Sequence, residues 1–141
     1  MGTLSLAGLP ESALLLVDSP PIIYFVEGHE RLRPHFKPLF EAQAAGRVRF
    51  AVTPITIAEM LTGPLKFGDE ALARRYRAVL DSWDIVTLNA DIAESAARLR
   101  ATLGLKLADA LQVASALAIN AAAFVTHDRD FSRVRYLRVI S

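Results

Sequence analysis

The sequence contains no cysteine. That removes disulfides, thiolate metal sites and thiol nucleophiles together, and it suits a reducing compartment. Glycine is sparse, and the seven present form neither a GxGxxG fingerprint nor a phosphate-cradling loop. No serine sits in a GxSxG elbow. No apolar run reaches the roughly 20 residues that cross a bilayer. The N-terminal stretch MGTLSLAGLPESALLLVDS lacks the basic start of a signal peptide, and the myristoylation pattern fails at Leu6. The expected location is therefore the cytoplasm. An excess of one charge is missing too: net charge is +1, which by itself names no partner.

What is present is the composition of a globular chain, 52% hydrophobic and 22% charged over 141 residues, enough for a single domain with a real core. Basic residues gather in two places. Arg129, Arg133, Arg135 and Arg138 face one acid, Asp130, near the end of the chain, and Arg74, Arg75 and Arg77 form a second group. Either group suits contact with phosphates, and either suits a solvated surface.

Along the chain, strand-like and helix-like segments alternate. Residues 1–13 read as a loose arm. Leu14–Val17 reads as a buried strand ending on Asp18. Asp18 or Ser19 then caps a short helix through Glu27, with prolines in its first turn and Gly28 as its stop. A helix from Pro34 to about Ala45 follows, then a strand at Val48–Val52. Thr53–Pro54 signals a helix that carries Glu59 and ends near Gly63–Pro64. Asp69 opens another, with Leu72, Tyr76, Val79, Leu80 and Trp83 on one face. Ile85–Leu88 reads as a strand. Asn89 caps a helix that Gly104 closes. From Leu107 to Ile119 the chain is apolar nearly all round, the mark of a buried helix, yet it holds Asp109 and, one turn on, Gln112. Strands at Ala122–Thr126 and Tyr136–Ile140 complete the pattern, which is that of an α/β domain with a mostly parallel sheet covered on both faces.

In such sheets ligands bind outside the carboxyl ends of the strands. Asp18 and Asp128 directly follow strands, and Glu59 and Asp109 lie on helices that can flank the same rim. Four converging carboxylates repel one another by roughly 4 kcal/mol per pair at 4 Å and an effective dielectric near 20. A hard divalent cation relieves this, and all-oxygen donors suit magnesium or manganese. The chemistry that fits is metal-assisted hydrolysis of a phosphodiester. Each acid also has a plain structural explanation. Asp18 can be a cap and Glu59 a surface residue. Asp109 suits the first turn of a helix. Asp128 and Asp130 suit a turn. Ser19 can cap a helix or hold a water, and His127 is expected to be a loop or core residue and not a ligand.

The segments LLLVDSPPIIYFVEG, TPITIAEMLTG, GLKLADALQVASAL and FVTHDRDF stand in the order and spacing of PIN-domain proteins. The chain resembles most the VapC-type toxins of bacterial toxin–antitoxin pairs, over nearly all of Leu14 to Ile140. The resemblance implies a PIN-like three-layer α/β/α sandwich. It implies a magnesium- or manganese-dependent ribonuclease leaving 3′-hydroxyl and 5′-phosphate ends, a homodimer, and a small VapB-type antitoxin as partner. Carried onto this chain, it makes Asp18, Glu59, Asp109 and Asp128 the catalytic and metal-binding acids. Ser19 and Asp130 are accessory to them. Arg129, Arg133 and Arg135 are candidates for RNA contact. One departure is Pro20, where the family often has Ser, Thr or Asn; Ser19 keeps a hydroxyl beside the acid. Two other readings stay open: a non-catalytic RNA-binding or interaction module on the same fold, and a magnesium-binding receiver-like phosphoacceptor. The receiver reading lacks the adjacent acidic pair and a late lysine, since the last lysine is Lys106.

Overall fold

A computed structural model describes residues 4–141. The strands are β1 (Ala13–Val17), β2 (Val48–Val52), β3 (Asp84–Ile85), β4 (Ala123–Val125) and β5 (Val139–Ile140). The helices are α1 (Ser19–Glu27), α2 (Leu32–Ala44), α3 (Pro54–Lys66), α4 (Glu70–Asp81), α5 (Ala90–Leu103) and α6 (Leu107–Ala118), with a 3-10 turn at Arg129–Arg133. The strands form one parallel sheet in the order β3-β2-β1-β4-β5.

The sheet has two buried faces because alternate side chains of a strand point to opposite sides. Leu15, Val17, Phe50, Val52, Ala123 and Val125 join Ile22, Phe36, Leu39, Met60 and Leu80 in one core, covered by α1 to α4. Leu16, Ala51 and Phe124 join Ile92, Ala96, Val113, Ala114 and Phe131 in a second core, covered by α5, α6 and the 3-10 turn. This is the three-layer α/β/α arrangement expected from the sequence.

Several boundaries differ from the sequence reading, each for a local reason. The third strand stops at Ile85 instead of Leu88, because its neighbour β2 ends at Val52 and turns into α3; a last bond runs from the Val86 N–H to the Val52 carbonyl (2.9 Å). β5 is limited to two residues because β4 offers it only Phe124 and Val125. α3 continues through Gly63 and Pro64 to Lys66, and the break comes at Gly68, whose φ of +71° suits glycine. The expected loose arm lies partly outside the described residues. The rest of it is not loose: Leu4 is buried in the first core, and its N–H donates to the His35 carbonyl (3.2 Å). α6 is less uniformly buried than its sequence implies, for Leu107 at its start is exposed.

Candidate metal centre

β1 lies centrally, with β2 on one side and β4 on the other, so connections leave it in opposite directions. This is the switch point where parallel sheets form crevices. Each of the three central strands ends in a buried polar residue: Asp18 after β1, Thr53 after β2, Thr126 after β4.

Asp18 caps α1, its Oδ1 accepting from the Ser19 N–H at 3.0 Å. It is only 8% exposed. The same oxygen accepts from Nε2 of Gln112 (3.1 Å), and Oδ2 accepts from the Thr126 hydroxyl (2.9 Å). Burial pushes its pKa up; the bonds from Thr126, Gln112 and Ser19 pull the other way, and Asp128 adds repulsion. The capping role and the site role thus coincide in one carboxylate.

Gln112 is the residue whose importance the sequence hid. Its side chain is fully buried, and every polar atom is used. Nε2 donates to Asp18 and to the Thr56 hydroxyl (2.9 Å), while Oε1 accepts from the Thr53 hydroxyl (2.6 Å). Thr53 also caps α3, accepting from the Ile55 and Thr56 N–H groups. One amide therefore ties the start of α3 and the end of β1 to α6. The available signal was a glutamine one turn beyond Asp109 in an otherwise apolar helix, opposite threonines that directly follow strands.

Thr126 extends the network outward, its hydroxyl oxygen accepting from the Asp128 N–H (3.1 Å). Asp128 in turn caps the 3-10 turn, Oδ1 accepting from the Asp130 N–H (2.9 Å). Phe131, fully buried and edge-on to Phe124 at 4.8 Å, pins that turn to the sheet. The result brings carboxylate oxygens of Asp109, Asp128 and Asp130 within 4.8 Å of one another, the one acidic group of metal-binding spacing among the described residues. Asp130, assigned only an accessory part from sequence, belongs to this group. Asp18 stands behind it, near enough to act on Asp109. Burial first, then the charges of Asp128, Asp18 and Asp130, raise the Asp109 pKa to about 6.

Glu59 is exposed on α3 and is joined to the site by Ser19, whose hydroxyl donates to Glu59 Oε1 (2.9 Å). His127 points elsewhere: its ring packs edge-on against Tyr24 and Phe36, and burial, His35 and Arg129 lower its pKa. Arg138 lies against the N-terminal segment, near the Ser5 carbonyl, while Arg133 and Arg135 line a groove beside α5. In the other basic group, Arg77 pairs with Asp81 on the exposed side of α4.

The PIN domain profile matches residues 15–136. The chain belongs to the PIN domain family. Among solved structures, the PIN chain is similar to a chain of a toxin–antitoxin complex from Klebsiella pneumoniae, at 26% identity and a TM-score of 0.71, covering 90% of this chain and 96% of that one. VapBC2 from Rickettsia felis, bound to a DNA fragment from its promoter, matches at 20% identity and a TM-score of 0.72, covering 89% and 96%. VapC20 of Mycobacterium tuberculosis, a toxin that cleaves the sarcin–ricin loop, matches at 18% identity and a TM-score of 0.69, covering 90% and 99%. At these last two identities the likeness is one of fold. No curated protein matches the chain.

The donor set of this PIN site fits a hard divalent cation. It consists of carboxylates alone, two of them exposed and one partly buried, with the Asp109 proton held more tightly than usual by burial first and by its acidic neighbours second. A divalent ion held there would replace that proton and cancel the repulsion.

Proposed function

We propose that this PIN chain is the endoribonuclease toxin of a toxin–antitoxin pair, a single nuclease domain that hydrolyses RNA with magnesium or manganese. The observation that carries the reading is the junction of Asp109, Asp128 and Asp130 in front of the buried Asp18, at the carboxyl edge of a PIN-family sheet. The toxin–antitoxin origin of the similar Klebsiella chain supports the biological setting. A VapB-type antitoxin as partner, a homodimer and a cytoplasmic location belong to the same proposal.

Asp109, Asp128 and Asp130 would hold the ion, with Asp18 and Glu59 completing the acidic surround. The bound ion would supply charge for a phosphoryl oxygen and lower the pKa of water. The protein's own work is positional. Gln112 and Thr126 hold Asp18 in one orientation while it stays buried. The Ser19 hydroxyl orients Glu59 by one oxygen, so its other oxygen is free to take up a proton from water. Asp128 fixes the backbone that presents Asp130.

The test is cleavage of cellular RNA by the purified chain, followed by sequencing of the new ends. Cleavage should stop with chelator, return with manganese, and leave 5′-phosphates. Full cleavage in excess chelator, or no cleavage of any RNA by folded protein supplied with manganese, would overturn the proposal.

A further inference from the structure

α5, Arg133 and the segment after the 3-10 turn line a groove of about 430 Å³. That lies within the roughly 300–1,000 Å³ of sites that take small organic groups. Leu99 and Leu103 give it an apolar floor, Arg98, Arg133 and Arg135 ring it, and Tyr136 stands at its side. Tyr136 is 86% exposed, so most of its ring is open. No acid lines the groove, although Glu94 on the outer side of α5 reaches Arg98 at 3.6 Å. The same 3-10 turn that carries Asp130 ends at Arg133, so groove and acids share one short stretch of chain.

We propose that this groove is a nucleotide subsite of the nuclease, which takes one unpaired base against Tyr136 and the two leucines and the flanking phosphates on Arg133, Arg135 and Arg98. The proposal rests on the ribonuclease reading above and adds where on this chain an unpaired base and its phosphates are held. Charge complementarity selects this occupant. A cationic groove with an aromatic ring and an apolar floor is the way proteins hold single strands without reading their sequence. A second copy of the chain fits less well, because a two-fold contact sets each patch against itself and would bring the arginines together. A base in a duplex is stacked on both faces and cannot enter the groove.

The two kinds of contact separate by experiment. The probe is a fluorescein-labelled 12-nucleotide oligouridine, titrated in chelator so that it is bound and not cut, with a blunt RNA duplex of equal length as comparison. Tyr136→Ala should weaken oligouridine binding roughly 5- to 150-fold, the worth of one stacked base. Its salt slope should not change, and Tyr136→Phe should bind as wild type. Arg133→Ala combined with Arg135→Ala should lower the slope of log K against log salt by about 1.4, at about 0.7 per phosphate on a single strand. Thermal melts confirm that each variant is folded. Wild-type affinity and slope in all variants would overturn the subsite, as would equal loss of duplex binding in Tyr136→Ala. So would a Tyr136→Ala variant that turns a dimer into a monomer yet binds oligouridine normally, which would make the groove a contact between copies. If wild-type protein cuts RNA while these variants bind normally, only the subsite fails; if wild-type protein neither binds nor cuts RNA, the ribonuclease reading falls with it.

Discussion

At the scale of single residues, Asp109 is the position at which the proposed catalysis can be tested apart from folding. Its pKa of about 6 means that its charged form is disfavoured in the metal-free fold relative to the unfolded chain, where the carboxyl titrates near 3.8. The folded state therefore binds the proton more tightly. The stability due to this group is fully present below about pH 4 and lost as pH rises through 6. Asp109→Asn should remove the loss. Metal-free variant protein at pH 7.5 should be more stable by on the order of 1 kcal/mol, after allowance for solvent screening of a partly exposed group. The gain should vanish near pH 3, below both pKa values, and RNA cleavage should be abolished. Melts at both pH values with a cleavage assay check this. A variant that melts lower at pH 7.5 and cuts normally would leave Asp109 as a helix-start residue, worth about 0.3–1 kcal/mol through the helix dipole. Gln112→Met keeps the volume and deletes the amide. It should cost roughly 1–3 kcal/mol for each polar group left unpaired among Thr53, Thr56 and Asp18. It should also weaken manganese binding, because Asp18 loses one of the donors that orient it. Denaturant unfolding and calorimetric titration with manganese measure the two effects; unchanged metal affinity would reduce Gln112 to a packing residue.

At the scale of elements, the helix starts divide into those that only cap and those that also serve the site. Asn89 caps α5 by accepting from the Ile92 N–H at 2.9 Å and touches nothing in the acidic group. Thr53 caps α3 and also donates to Gln112. Asn89→Ala should cost about 1 kcal/mol, the usual worth of a cap, and leave cleavage per folded molecule unchanged. Thr53→Ala should cost more, since it also orphans the Gln112 carbonyl, and it should lower metal affinity. Equal effects of the two substitutions on cleavage would disconnect Thr53 from the site. The same distinction explains which element ends were legible. Caps such as Asn89 and Asp69 and the positive-φ stop at Gly104 are local, and the sequence shows them where the structure has them. The lengths of β3 and β5 are not local, because an edge strand extends only as far as its neighbour offers a partner.

For the whole molecule, metal binding and folding are linked. The acids converge in the native arrangement, and an ion that binds only that arrangement must stabilise it. Manganese at 100 times its Kd should raise stability by about 2.7 kcal/mol. The gain should shrink below pH 6, where the Asp109 proton competes with the ion. Asp109→Asn should show a smaller shift at the same manganese concentration. Scanning calorimetry across pH checks both. A manganese-induced shift of equal size in wild type and variant would place the ion away from the acidic group.

The order of strands and helices, the two buried faces of the sheet and the carboxylates at its carboxyl edge follow from the sequence alone, because alternation of apolar residues and helix start signals are read over a few residues. The pairing of Asp128 with Asp130 in one group, the retreat of Asp18 behind them and the joining of Thr53, Gln112 and Thr126 needed the tertiary structure. These groups lie as far apart in sequence as Asp18 and Thr126, and only the packing of three neighbouring strand ends under α6 decides which oxygen meets which donor. The groove at Tyr136 is of the same kind: its arginines come from α5 and from the segment after β4, and no local pattern in either foretells that they face a common floor.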